Sequence, residues 1–298
     1  MGKVGTPREL RHGGKKRMLI TGGKGMLGQD LFACFHPEYE IRVTDLQECD
    51  VTNPMECRRA IGEARPDVVL HCAAYTAVDR AESEEGLAFA VNAEGTRNVA
   101  RECREHGALL VTFGTDYIFD GTSSLPYREE DSARPVSAYG RSKLAAEEAL
   151  RKEAPNHLLI RTQWLYGPHG RNFVFAILDR ARRGEPLRVV TDQRGTPTYA
   201  KDLAEATRRL LDAEARGTFH FSNEGETTWH GFASVVLDHA FPGPVPLSPA
   251  LTRDLSYPAP RPAYSVLDKR KYRMATGAIP RSWEDAVKEF LNMLMKEG

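Results

Sequence analysis

Cysteine is scarce and scattered. The five thiols of the 298-residue chain (Cys34, Cys49, Cys57, Cys72 and Cys103) form no C-x-x-C pair and no Cys/His cluster. That pattern argues against a zinc centre or a disulfide framework, and for reduced thiols in a cytoplasmic protein. An excess of one charge is also missing, since 41 Lys+Arg balance 41 Asp+Glu. Without the clustered basic surplus that tracks phosphates, no nucleic-acid partner is expected. No apolar run approaches the ~20 residues that cross a bilayer, so no membrane partner is expected either. Residues 1–17 (MGKVGTPRELRHGGKKR) are basic without an apolar core and read as a flexible tail rather than a secretory signal. Internal repeats and low-complexity tracts are absent.

What remains is an ordinary globular composition, 41% hydrophobic and 28% charged, with length for one large or two smaller domains. Short apolar runs at Met18–Thr21, Ile41–Thr44, Asp67–His71, Ala108–Phe113 and His157–Arg161 alternate with helical patterns at Pro54–Ala64, Ser83–His106 and Ser137–Glu153. Such alternation predicts an α/β fold, a Rossmann-type doubly wound parallel sheet buried on both faces. The second half is less regular, with helices expected at Phe173–Arg183, Asp202–Ala215, Trp229–Phe241 and Trp283–Met295 and a strand at Thr218–Phe221. It reads as a smaller, mixed C-terminal substrate-binding domain. The expected division is a dinucleotide-binding domain over 18–165, with returning segments near 196–222, and a substrate-binding domain over 166–195 and 223–298. The proline-rich stretch 242–262 excludes long helices and central strands, and a long loop of this kind usually borders a binding site.

Gly22, Gly25 and Gly28 follow the first strand with G-x-x-G-x-x-G spacing and open a helix. The first allows a tight turn, the second lets backbone approach a pyrophosphate, and the third lets helix and strand pack closely. Free amides at the helix start then face the phosphates. Asp45, after the second strand, suits the adenosine ribose hydroxyls and repels a 2′-phosphate, which tilts the cofactor from NADPH towards NADH. Lys24 and Arg42 weigh the other way, since either could neutralise that phosphate. Asp50 could reach the adenine amino group, while Thr52 or Asn53 could simply cap the next helix. The small residues of Cys72-Ala73-Ala74-Tyr75 would let a cofactor lie against the third strand's end.

Tyr139 and Lys143 stand four apart on one helical face. A phenol of ordinary pKa about 10 is a poor acid at neutral pH, and a nearby ammonium would favour its ionised form. Thr115 ends the fourth strand, on the side where open parallel sheets bind ligands, and could donate to a substrate carbonyl. Asp116 could hold a sugar hydroxyl or begin a turn. Asn92 reads as a polar relay or a cap. Asp79 and Glu82 read as acids at the start of their own local helix.

The glycine loop, the Thr115 strand end and Tyr139-x-x-x-Lys143, together with AAYTAVDRAE, GTDYIF, SAYGRSKLAAE, RTQWLYG, NFV, DQRGTPT and RPAYSVLD, resemble the extended short-chain dehydrogenase/reductase family. The resemblance runs from about Met18 to Leu294. It implies an NAD(P)H-dependent oxidoreductase that passes hydride to C4 of a dTDP-linked keto sugar. Tyr139 would be the proton donor and Lys143 its partner, with Thr115 and Asp116 on the sugar. Gly25, Met26, Leu27, Asp45, Asp50, Val51, Ala73, Ala74, Tyr75 and Phe113 would line the dinucleotide. Trp164 would pack on the sugar, with Asn172 and Arg261 as candidates for the nucleotide diphosphate. One departure is Gly114, where the family usually has serine before Thr-Asp-Tyr. Some members use magnesium at a dimer contact, so a homodimer and Mg2+ stay open, but no acidic ligand set for the metal can be placed here. The same Tyr/Lys machinery also serves nucleotide-sugar epimerases and dehydratases that retain NAD, and idle relatives act as regulatory subunits.

Overall fold

The computed structural model describes residues 15–297. Residues 1–14 of the expected tail lie outside the described residues, and Lys16 and Arg17 belong to the first strand rather than the tail. The Arg17 amide donates to the Asp67 carboxylate at 2.8 Å, which ties the strand's start to its neighbour.

Six parallel strands build the main sheet: β1 (Lys16–Thr21), β2 (Tyr39–Thr44), β3 (Val68–His71), β4 (Leu109–Thr115), β5 (His157–Thr162) and β6 (Gly217–His220), ordered β2-β1-β3-β4-β5-β6. The larger helices are α1 (Met26–Phe35), α2 (Pro54–Ala64), α3 (Gly95–His106), α4 (Ala138–Glu153), α5 (Phe173–Arg182), α6 (Ala200–Asp212), α7 (Trp229–Ala240) and α8 (Trp283–Glu297). Strand alternation sorts side chains to two cores. Met18, Ile20, Leu70, Val111 and Ile160 pack towards α1 and α6. Leu19, Val69, Leu110 and Leu159 face the opposite way, towards α2, α3 and α4. A separate aromatic-rich core joins α5, α7 and α8 through Tyr166, Phe232, Val287 and Phe290.

Strand order reverses between β1 and β3, whose ends pair Thr21 with His71. Chain segments leaving these two strands diverge, and the crevice at such a reversal is where open α/β sheets take ligands.

Two local expectations change. The single helix expected over Ser83–His106 is a helix at Glu85–Phe89, a wide π turn at Ala90–Glu94 and then α3. The turn carries Asn92, whose side chain accepts from the Tyr75 amide and donates to the Tyr75 carbonyl and the Ser142 hydroxyl. Asn92 is therefore the relay, joining the loop after β3 to α4. Within 242–262, Leu247–Ala250 forms a strand parallel to Leu187–Val190 in a two-stranded sheet. Both strands of such a pair are edges, where Pro249 is tolerated.

Candidate active site

A cavity of about 550 Å3 opens where the glycine turn, the loop after β3, the ends of β4 and β5, and α4 meet. Gly22, Gly25, Met26, Leu27 and Gly28 form one wall, and Ala73, Ala74 and Phe113 adjoin it. Gly22 has φ +64°, and a Cβ there would stand 2.5 Å from the Ala73 nitrogen. Only glycine lets the turn after β1 pass so close to the loop after β3. Gly25 caps α1 without a side-chain hydrogen bond, and the first turn contains no acid. The amides at this helix start thus face the cavity with their dipole uncompensated, which fits a dinucleotide pyrophosphate.

On the opposite wall, α4 is anchored at both chemical ends of its first turn. Ser137 accepts from the Gly140 amide at 3.1 Å, and Glu82, from a distant loop, accepts from the Ala138 amide at 2.8 Å. Glu82 thus serves α4 rather than its own local helix, while Asp79 stands as expected in the first turn of the short helix Val78–Ala81 and also pairs with Arg261. A Cβ at Gly140 would collide with the Tyr117 carbonyl oxygen, so this glycine lets α4 press against the turn that follows Thr115. Tyr139 is then packed edge-on against Tyr117, with ring centroids 5.5 Å apart, and is 8% exposed.

Tyr139, Lys143, Thr115 and Asp116 all line the cavity. Thr115 donates to Asp116 Oδ1 at 3.1 Å. Its hydroxyl also stands close enough to the Tyr139 phenol to favour ionisation, but burial dominates and pushes that phenol up to about 12. Lys143 does not lower it. The ammonium donates to the Phe113 carbonyl at 2.8 Å, and burial pulls Lys143 down to about 8. The expectation that the ammonium brings Tyr139 towards neutral pH is therefore corrected, because Lys143 is held on the strand side. The phenol stays protonated and able to act as an acid. Asp116 is buried, its Oδ2 has no partner, and burial raises it to about 6. A buried carboxylate oxygen left without a partner beside a cavity has an acceptor position free for a donor.

Trp164 also lines the cavity, in the left-handed backbone region at φ +46°, stacked on Trp229 with centroids 3.7 Å apart. Gly114 explains its own departure from the family. A Cβ there would lie 2.8 Å from Arg161 Cγ and 3.0 Å from Glu147 Oε1. The buried Arg161–Glu147 pair, bonded at 2.9 and 2.8 Å, occupies the space a serine would need.

Other expected residues are not on the cavity wall. Asp45 accepts from the Lys24 and Leu46 amides. Asp50 accepts from the amide and hydroxyl of Thr52, and Asn53 caps α2. Val51 is core. The Tyr75 hydroxyl donates to Glu84. Asn172 is engaged on both sides, donating to Gly167 and accepting from the Phe175 amide, and so shapes the loop before α5. Arg261 is clamped by Asp79 at 2.9 and 2.8 Å and lies over the Tyr257 ring. Among the cavity residues that escaped the sequence reading are Trp229 and Arg171. Arg171 is exposed, and no carboxylate among the described residues pairs with it. An arginine beside the NFV segment was the available signal. Among the described residues no cluster of three or more His, Cys, Asp and Glu side chains suits a metal ion, and no helix is long and apolar enough to cross a membrane.

A doubly wound sheet whose glycine turn and Tyr139, Lys143 and Thr115 share one cavity defines a nicotinamide-dependent dehydrogenase/reductase of the short-chain type. The family described as "RmlD substrate binding domain" matches residues 16–296, and the chain belongs to that family. It is 41% identical over 279 residues, covering 92% of this chain and 94% of the relative, to a probable dTDP-4,6-dihydroxy-2-methyloxan-3-one 4-ketoreductase of Streptomyces antibioticus. It is 37% identical over 292 residues to a dTDP-4-dehydrorhamnose reductase of Sinorhizobium fredii, covering 95% of this chain and 99% of the relative. A crystal structure of the Bacillus anthracis dTDP-4-dehydrorhamnose reductase in complex with NADP superposes with a TM-score of 0.91 at 37% identity, covering 94% of this chain and 99% of that one.

Proposed function

We propose that this protein reduces the C4 ketone of dTDP-4-dehydro-L-rhamnose to give dTDP-L-rhamnose, with NADH as the preferred coenzyme. The observation that carries the reading is the convergence of Tyr139, Lys143, Thr115 and Asp116, whose Oδ2 has no partner, on the wall that faces the glycine turn. When bound, the reduced nicotinamide supplies the hydride. Tyr139 holds the proton for the oxygen that becomes an alkoxide, and solvent restores that proton afterwards. Thr115 directs the oxygen by hydrogen bonding, and Lys143, on the same cavity wall, supplies an ammonium for the charge left on Tyr139. Preorganised donors of this kind lower a barrier by several kcal/mol. Asp116 receives a sugar hydroxyl, and the Trp164–Trp229 pair supplies a flat apolar wall. Segments 166–195 and 223–298 form the sugar-nucleotide side, and 18–165 the coenzyme side. The enzyme works in the cytoplasm.

Arg171 takes the diphosphate role expected of Arg261, whose guanidinium is already neutralised by Asp79. Arg171→Ala is expected to raise KM for the sugar nucleotide about 10-fold to 100-fold, as for loss of one charge-assisted bond, with kcat little changed. Steady-state kinetics with varied sugar nucleotide check this. Arg261→Ala is expected to lower the melting temperature instead.

The function is tested by mixing the protein with dTDP-4-dehydrorhamnose and NADH or NADPH and following absorbance. One coenzyme oxidised per sugar reduced supports the reading. Turnover without net coenzyme loss would mark an epimerase or dehydratase, and no turnover by the intact site a regulatory subunit.

A further inference from the structure

The turn after β2 holds an ion pair beside the glycine loop. Lys24, directly before Gly25, donates its backbone amide to Asp45 Oδ2 at 3.0 Å. Its ammonium donates to Glu48 Oε1 at 2.8 Å and to Gln47 Oε1 at 3.2 Å. The other Glu48 oxygen accepts from the Asp45 amide at 3.0 Å, so the carboxylate is fixed to the turn while it holds the lysine. Of the other cations near this turn, Arg42 is engaged by Glu63 on α2 at 2.9 Å, and Arg59 donates to the Glu48 backbone carbonyl at 3.1 Å.

These contacts decide what a phosphate on the adenosine ribose would meet. Asp45 and Glu48 bring two negative charges, and Lys24 one positive charge already drawn towards Glu48. Both partners of the pair are about half exposed, with side-chain accessibilities of 58% and 45%, so a 2′-phosphate would reach the ammonium only in competition with Glu48. We propose that Glu48 sets the choice between the two nicotinamide coenzymes, by holding the Lys24 ammonium on the turn and away from a ribose 2′-phosphate. The inference rests on the coenzyme-dependent reading above and adds the residue that controls selectivity within it. Asp45 disfavours the phosphate by repulsion, and Glu48 does so by withholding the cation that stands inside the glycine loop.

The test is direct coenzyme binding, read from nicotinamide fluorescence without sugar substrate, for the full chain and for Glu48→Gln, Lys24→Ala and the double variant. Glu48→Gln keeps the side chain's length and an acceptor for the Asp45 amide while releasing the ammonium. It is expected to tighten NADPH binding about tenfold, with NADH within about twofold, and the gain should shrink as salt rises above about 0.1 M. Lys24→Ala in the Glu48→Gln background should abolish the gain. The proposal is overturned if Glu48→Gln shifts both coenzymes equally or neither, or if the gain survives loss of Lys24. If the unaltered chain reduces no keto sugar while Glu48→Gln still separates the two coenzymes in this way, the functional reading fails and this inference stands.

Discussion

Tyr139→Phe is expected to leave the fold and NADH binding intact and to lower kcat by about 10²–10⁴-fold, the range for removal of a positioned general acid. The ring is held by Tyr117 and by a small cluster with Ala81, Ala88 and Ala138, none of which needs the hydroxyl. Packing therefore survives while the proton is lost. Comparing kcat with the NADH dissociation constant and the melting temperature separates these effects. A kcat within tenfold of the unaltered protein would remove Tyr139 from the chemistry. The pH profile gives an independent check. With the phenol pushed up to about 12, it stays protonated through the working range. Lys143, drawn down to about 8 by burial, loses its charge first as pH rises. Activity should accordingly fall on the alkaline side near pH 8, and a flat profile from about pH 6 to 10 would contradict the role given to Lys143.

Gly22→Ala should have the largest effect on binding. The backbone there sits at φ +64°, and the added methyl would meet the Ala73 backbone at 2.5 and 2.6 Å. Neither neighbour is a flexible side-chain end, so the turn or the loop after β3 must shift. Overpacking together with a disfavoured backbone conformation costs about 2–4 kcal/mol. Displacing the α1 amides from a bound pyrophosphate should also weaken NADH binding about a hundredfold, equivalent to one or two hydrogen bonds to a charged group. Thermal melts and fluorescence titration measure the two losses. Native stability with unchanged NADH affinity would mean that the turn does not cradle the coenzyme.

Much of the site was legible in the sequence. Gly22, Gly25 and Gly28 announced the turn because glycine spacing is a local property, and Tyr139 and Lys143 announced a shared face because helical periodicity is local too. Reading Glu82 as a local helix acid failed for the opposite reason, and the pairing of Asp79, which does stand in its own helix's first turn, went unseen. Their partners, the Ala138 amide and Arg261, lie 56 and 182 positions away. The π turn around Asn92 was equally hidden, since it depends on bonds to Tyr75 and Ser142.

By itself, the order of residues determined the order of the main-sheet strands, the glycine turn and the Tyr/Lys face, since each follows from the periodicity and conformational limits of neighbouring residues. Only the tertiary structure decided which charges are spent and which are available. Arg261 is neutralised by Asp79, Lys24 is engaged by Glu48, and Lys143 is bonded to the Phe113 carbonyl, while Arg171 and Asp116, whose Oδ2 has no partner, line the cavity. Ion pairing and desolvation depend on distances through space, which a linear spacing cannot encode.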